Sequence, residues 1–254
     1  MKLLKAMAIA FSIYSKIPMP QFEWKEEDME YMMCFFPWIG GVIGLFFFGW
    51  AVLCEKFAVG NVCYALIGAA IPLMISGGFH VDGYMDTMDA FHSYQSREKK
   101  LEILKDSHIG AFAAIMLALY YMIDIAAISE IHTQKAVSAL AAVFFLARCF
   151  SGIAVMTLQP AKKEGLLYTF ASSAQKVRVK AALYFQTVLC VVLMLLVSGW
   201  YGAAAIGAAL LSFFYFKKKS YKELGGITGD TAGFFVTVCE AAAAAAVAVA
   251  GYFL

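Results

Sequence analysis

The sequence predicts an all-α integral membrane protein of about seven transmembrane helices, with an N-terminal interfacial or re-entrant helix and its polar motifs gathered in loops on one side. Three observations predict it. The 254-residue chain is 62% hydrophobic and only 15% charged, with 22 Phe and 13 Met, which is far too apolar for a soluble domain of this size. Its apolar runs approach the ~20 residues that a helix needs to cross the hydrocarbon of a bilayer. Its basic residues fall in alternate loops, as the positive-inside rule requires.

The first twenty residues imitate a signal peptide, with Lys2 and Lys5 ahead of Ala6 to Tyr14, but no clear small-x-small cleavage site follows. Lys16 and the Pro18-Met19-Pro20 turn interrupt the run instead, so the segment reads as a retained helix lying in or dipping into the interface. Residues 24–30 are acidic and read as a solvated helix. Seven apolar runs follow, at roughly 32–54, 61–79, 109–130, 136–158, 181–198, 200–216 and 232–254. The longest polar loop lies between the second and third runs, at about 80–108, and its stretch 96–105 has the look of a short helix. No repeat or Gly/Ser linker divides the chain, and the alanine run from Ala241 to Ala246 permits close helix packing. Residues 1–254 are therefore read as a single polytopic membrane domain.

With the N-terminus in the cytoplasm, the inner side receives 17 of the 20 basic residues: Lys2, Lys5, Lys16 and Lys25; Arg97, Lys99, Lys100 and Lys105; Lys162, Lys163, Lys176, Arg178 and Lys180; and Lys217, Lys218, Lys219 and Lys222. Only Lys56 and Lys135 fall outside, while Arg148 lies within a span. This orients the protein in a bilayer with loops 80–108, 159–180 and 217–230 inside and the C-terminus outside. Arg148 and Glu240 each sit about ten residues from the inner end of their spans, which at ~1.5 Å rise per residue gives them one depth and predicts that they pair. The six cysteines form no C-x-x-C pair and lie mostly inside apolar runs, so they read as buried free thiols, with a Cys54–Cys63 pair across an outer loop as the alternative. A net charge of +2, with the lysines and arginines following the membrane topology, gives no reason to expect a nucleic-acid partner.

The chemistry concentrates in the run Gly77-Gly78-Phe79-His80-Val81-Asp82-Gly83-Tyr84-Met85-Asp86-Thr87-Met88-Asp89 at the end of an apolar segment. On a helix the spacings put Asp82, Asp86 and Asp89 on one face. Carboxylates leaving water cost several kcal/mol each unless a cation offsets the loss. Oxygen-only ligands favour magnesium, manganese or calcium over zinc, and metal-assisted phosphoryl transfer is the role implied. Two further loops carry groups that approach phosphate: Lys162 and Lys163 in one, and Gly225, Gly226 and Gly229 beside a helix start in the other.

The D-G-x-x-D-x-x-D spacing invites comparison with the CDP-alcohol phosphotransferases of lipid synthesis, but Asp86-Thr87 stand where that signature has Ala-Arg. A closer resemblance is to the cobalamin synthases, the adenosylcobinamide-GDP ribazoletransferase family. It is carried by residues 77–90, by Leu101-Glu102-Ile103-Leu104-Lys105-Asp106-Ser107-His108-Ile109-Gly110, and by Gly225-Gly226-Ile227-Thr228-Gly229-Asp230-Thr231-Ala232-Gly233. Lys16 to Pro20 and Lys163 to Leu166 match further landmarks, so the likeness spans residues 11 to 240. Departures are Ala90 for a usual glycine, Lys16 and His108 where arginine is common, and Thr237 where many members have glutamate.

The resemblance implies a multi-pass enzyme of a prokaryotic cytoplasmic membrane that joins GDP-cobinamide to α-ribazole or its 5′-phosphate and releases GMP. Under it, Asp82 and Asp86 are the leading ligands for Mg2+, with Mn2+ as the alternative. Asp89 serves as ligand or base, and Asp106 and Asp230 as further ligands. His80 is the other candidate general base, since a neutral imidazole suits that work. Lys162, Lys163, Gly225, Gly226 and Gly229 would hold phosphate. A homo-oligomer or a complex with other enzymes of the same pathway would accompany the bilayer as partner. The rival from another class is a divalent-ion or solute transporter using Asp124, Arg148 and Glu240, but its carboxylates would be expected near the midplane rather than crowded at one interface.

Overall fold

A computed structural model describes residues 2–162, residue 167 and residues 174–253, without the side chain of Glu26. Among them are ten α-helices: α1 Lys2–Tyr14, α2 Phe36–Lys56, α3 Asn61–Ser76, α4 Phe79–His92, α5 Arg97–Ile103, α6 Ala111–Ile128, α7 Gln134–Thr157, α8 Lys176–Ser198, α9 Trp200–Leu224 and α10 Gly229–Ala250. Short 3-10 turns cover Glu26–Met29, Met32–Cys34 and Gly251–Phe253. The described residues hold no β-strand, only an isolated parallel bridge between Pro160 and Ile227.

Among the described residues five helices are individually long and apolar enough to cross a membrane, and six spans result if the bent pair α3 and α4 counts as one. This is fewer than the seven runs of the sequence, for two reasons. The apolar run 61–79 ends early: Gly77 and Gly78 take φ of +67° and +84°, a left-handed geometry glycine adopts freely, and α4 departs at 97° to α3. Helix α9 has 25 residues, but its last turns carry Lys217, Lys218, Lys219 and Lys222. The polar loop expected from residue 80 is thus a helix over Phe79–His92. The helix expected near 96–105 forms over Arg97–Ile103, where Ser96 caps it by accepting from the Lys99 N–H.

Helices α7 and α10 are mostly buried and form the centre, whereas α6 and α8 turn most of their apolar surface outward. Close packing comes from small residues. A Cβ on Gly40 or Gly44 of α2 would lie 2.0 Å from the Phe144 carbonyl oxygen or 2.1 Å from that of Ala141 on α7. At its end α1 is tied to α3, with the Lys16 N–H donating to the Ile75 carbonyl at 2.8 Å. The acidic segment before α2 differs from expectation: it is a 3-10 turn, and Asp28 is buried, accepting from Lys5 Nζ at 3.2 Å and so anchoring α1.

The predicted pair forms. Arg148 Nη1 lies 2.7 Å from Glu240 Oε1, and the two residues are 1% and 6% exposed. All six cysteines are free; Cys54, Cys149, Cys190 and Cys239 are buried as expected, whereas Cys34 is half-buried and Cys63 is exposed.

The approach of α4 to α10 positions the polar motifs. A Cβ on Gly83 would stand 2.8 Å from the Asp230 carbonyl oxygen and 2.9 Å from its Cα, and one on Gly233 would stand 3.1 Å from the His80 carbonyl oxygen. Backbone cannot yield as a side chain does, so Gly83→Ala must push the helices apart. Its expected cost is about 1–3 kcal/mol, as for other overpacked sites. Gly49→Ala, with nothing within 4 Å of the added carbon, should be neutral or stabilising. Thermal unfolding in detergent would check this; equal midpoints for the two variants would contradict the close approach.

Candidate functional site

Three loop regions distant in sequence meet at one face of the bundle. The Ala161 N–H donates to Ile227 O at 2.8 Å and the Ile227 N–H to Gln159 O at 2.9 Å, stitching the segment after α7 to the segment before α10. Lys162 Nζ donates to Leu101 O at 2.6 Å, and Lys100 pairs with Glu223, which brings in α5. At this junction a cavity of ≈ 480 Å³ opens. One part of its lining is polar, with Asp82, Asp230, Thr228, Gly229, Lys105 and Lys162; another is aromatic, with Tyr14, Phe36, Phe79 and His80. A second cavity, of ≈ 520 Å³, lies between α1, the α3–α4 hinge and α6, and Asp82 borders both.

The local sequence explains the polar part. Thr228 caps α10: its Oγ1 accepts from the Thr231 N–H at 3.2 Å, and Thr231 Oγ1 accepts from the Thr228 N–H at 2.8 Å. Asp230 thereby falls in the first turn of a 22-residue helix, where backbone N–H groups and the helix dipole favour negative charge. The contact of Gly83 with Asp230 then sets the aspartates of α4 against it. Asp82, Asp89 and Asp230 all lie close enough to Asp86 to repel its charge, and Lys162 is near enough to Asp230 to offset part of that field.

The candidate residues separate on this geometry. Asp82, Asp230, His80, Lys162 and Gly229 line the cavity, and Asp86 stands one helical turn from Asp82 behind the lining. Asp89 does not point there: its Oδ2 accepts from the Gly110 N–H and its Oδ1 from the Ala113 N–H, both at 2.8 Å, capping α6 from another helix. Asp106 is exposed and bound to His108 Nδ1 at 2.6 Å, and that hydrogen bond holds its carboxyl below the usual carboxylate range. Gly225, at φ +73°, closes α9 beside the Arg97 guanidinium, and Gly226 packs against the backbone of Gln159, Pro160 and Ala161, so both shape the loop rather than line the cavity. Lys163 lies outside the described residues. Lys105, Tyr14 and Thr228 were not singled out from the sequence. Of these only Thr228 carried a signal, the Thr228-Gly229-Asp230-Thr231 pattern of a helix start.

Asp89 has a structural task that predicts its variants. Asp89→Ala strips two acceptors from the first turn of α6 and is expected to cost about 1–2 kcal/mol, with Asp89→Asn losing less. Thermal unfolding of the purified protein measures this. A fully stable Asp89→Asn protein without turnover would return Asp89 to the reacting groups.

Among the described residues no group of three or more His, Cys, Asp and Glu side chains is arranged to hold a metal ion. Asp82 with Asp230 nevertheless fits magnesium, which is bound by one or two carboxylates while water and substrate phosphate complete its shell. The crowding of carboxylates around Asp86 is the observation that favours a cation there.

Residues 6–248 match the family model described as cobalamin-5-phosphate synthase. The chain is 44% identical over 250 residues to an adenosylcobinamide-GDP ribazoletransferase of Lachnoclostridium phytofermentans, covering 98% of this chain and 95% of that one. A relative of the same description from Clostridium botulinum is 31% identical over 94% of each chain, and one from Geotalea daltonii 30% identical over 91% of this chain and 92% of its own. No solved structure matches the chain.

Proposed function

The chain belongs to the cobalamin-5-phosphate synthase family, and from that premise we propose how its cavity does the family's work. The protein is a multi-pass membrane transferase that joins GDP-activated cobinamide to α-ribazole, or to its 5′-phosphate, late in nucleotide-loop assembly. In the reaction the ribose 3′-hydroxyl of the ribazole forms a bond to the cobinamide-proximal phosphorus. The bond from that phosphorus to the bridging oxygen breaks, and GMP departs with the electron pair.

The observation that carries the assignment of roles is the meeting of Asp82, Asp230 and Lys162 in one cavity at the start of α10. Asp82 and Asp230 would hold magnesium, or manganese as the alternative, with Asp86 behind them, and the chemistry such an ion would supply there is neutralisation of phosphate charge. Lys162 and the backbone N–H groups at Gly229 take the phosphate oxygens, and Lys105 lies at the same wall. The hydroxyl proton passes to Asp86, the carboxylate of this group that is left free of the metal.

The test is incubation of purified, detergent-solubilised protein with GDP-cobinamide, α-ribazole and magnesium, followed by mass analysis. GMP and the joined product are expected in equal amounts. Absence of both in protein that remains folded would refute the function.

We place the cavity on the cytoplasmic side of a prokaryotic cytoplasmic membrane, with lipid around the outward faces of α6 and α8, on the strength of the lysine and arginine bias. A cysteine placed at Lys99 or Lys219 is expected to resist an impermeant thiol reagent added to intact cells. Labelling of either would reverse the orientation.

A further inference from the structure

His80 is 5% exposed, lines the cavity, and neither ring nitrogen has a hydrogen-bond partner. Buried polar groups are nearly always satisfied, so an orphaned imidazole facing a cavity marks a place where something else supplies the partner. Its surroundings say what kind. The His80 ring lies 6.1 Å from Tyr14, nearly parallel to it at 13°, and 5.7 Å from both Phe36 and Phe79. Tyr14 in turn contacts Phe36 at 4.6 Å and Phe79 at 5.1 Å, so four rings from α1, α2 and α4 form one aromatic wall. Val155 extends that wall with apolar surface. Such a lining takes a flat, uncharged, largely apolar ring system, for which base–aromatic stacking is the main source of affinity.

The two substrates differ in how they suit it. A corrinoid is several times the size of a nucleoside and does not enter a ≈ 480 Å³ cavity. Guanine enters, but its edge carries several donors and acceptors, all of which lose water on burial. α-Ribazole, the riboside of 5,6-dimethylbenzimidazole, presents an apolar bicyclic ring with one exposed polar atom, the imine nitrogen N3, which is an acceptor. An uncharged imidazole offers one N–H donor. One donor without a partner matches one acceptor without a partner.

We propose that this wall is the recognition site for the base of the acceptor nucleoside, a benzimidazole-class riboside stacked against Tyr14, Phe36 and Phe79, with the His80 N–H donating to the imine nitrogen. The proposal rests on the acceptor identity given above. It makes His80 a specificity residue rather than the proton acceptor considered from the sequence. Asp82, three residues beyond Phe79 on α4, then stands where the ribose emerges toward the polar part of the cavity.

The test is equilibrium binding by the purified protein in detergent, without metal and without GDP-cobinamide, using three ribosides: 5,6-dimethylbenzimidazole, 5,6-dimethylindole and guanine. The indole keeps shape and apolarity but has C–H in place of the imine nitrogen. Wild-type protein is expected to bind the benzimidazole roughly tenfold more tightly than the indole, the effect of one neutral hydrogen bond. His80→Phe, which keeps a ring in the wall, should bind both alike at the indole level. Tyr14→Leu should weaken both by the same factor.

Equal affinity of wild-type protein for benzimidazole and indole, preferential binding of guanosine, or no binding of either apolar riboside at millimolar concentration would each overturn the proposal. The wild-type comparison needs no variant to fold. The outcome is separable from the function itself: GMP release without discrimination removes only this inference, and discrimination without GMP release removes only the reaction.

Discussion

Asp82→Asn is expected to lower GMP release by about 10²- to 10³-fold at saturating substrates and ordinary magnesium, the range lost when one group that offsets transition-state charge is removed. Asparagine keeps the size of the side chain and removes the charge that binds a hard cation. Asp230→Asn is expected to fall in the same range, because both aspartates line one cavity, where Gly83 brings α4 against the Asp230 backbone. Chelation of the wild-type protein should reproduce the loss, and added magnesium should restore it. Stability gives a second, independent signature. Without metal, Asp82→Asn relieves repulsion on Asp86 and should be at least as stable as the wild type. Asp230→Asn also gives up a favourable charge in the first turn of α10, a loss of about 0.3–1 kcal/mol, so its midpoint should stay near or slightly below that of wild type. Near-normal GMP release by both variants would remove the metal assignment and most of the mechanism.

The second large effect is expected in the bundle interior. Arg148 donates to Glu240 Oε1 at 2.7 Å and to the Phe144 carbonyl at 2.8 Å from a site almost without solvent. Breaking one side of such a pair costs about 3–5 kcal/mol, because a charge is left behind uncompensated. Arg148→Met should therefore lower the thermal midpoint sharply. Glu240→Met should lower it less, for a reason outside the pair itself: Asp124 on α6 is buried and within electrostatic reach of Glu240. Removing the arginine leaves two buried carboxylates within electrostatic reach of each other and no cation beside Glu240, whereas removing the glutamate leaves a single uncompensated charge at the pair and relieves Asp124. The double variant should be more stable than Arg148→Met alone, since both charges leave together. Strictly additive midpoints would show that the pair contributes nothing as a pair.

The sequence by itself determined the membrane class, the helical face that carries Asp82, Asp86 and Asp89, the grouping of three polar regions, and the pairing of Arg148 with Glu240. Each of these is a local or summed property. Hydropathy follows from composition, helix faces follow from a fixed 3.6-residue period, and the loops that share an end of the bundle follow from the alternation of apolar runs. Tertiary structure decided which members of those sets face the same space. Three carboxylates share one face of α4, yet the Asp89 oxygens turn to the N–H groups of Gly110 and Ala113, because the start of α6 lies beside them. Asp106 stays in solvent with His108, and Gly225 and Gly226 are consumed in closing α9 and docking its loop. His80 and Tyr14, 66 residues apart, become neighbours because the Gly77-Gly78 hinge turns α4 through 97° and α1 is tied to the end of α3. A hydrogen bond or a shared cavity is set to within a fraction of an ångström by how helices cross, and crossing depends on contacts between residues far apart in the chain, such as Gly83 with Asp230, which no local pattern encodes.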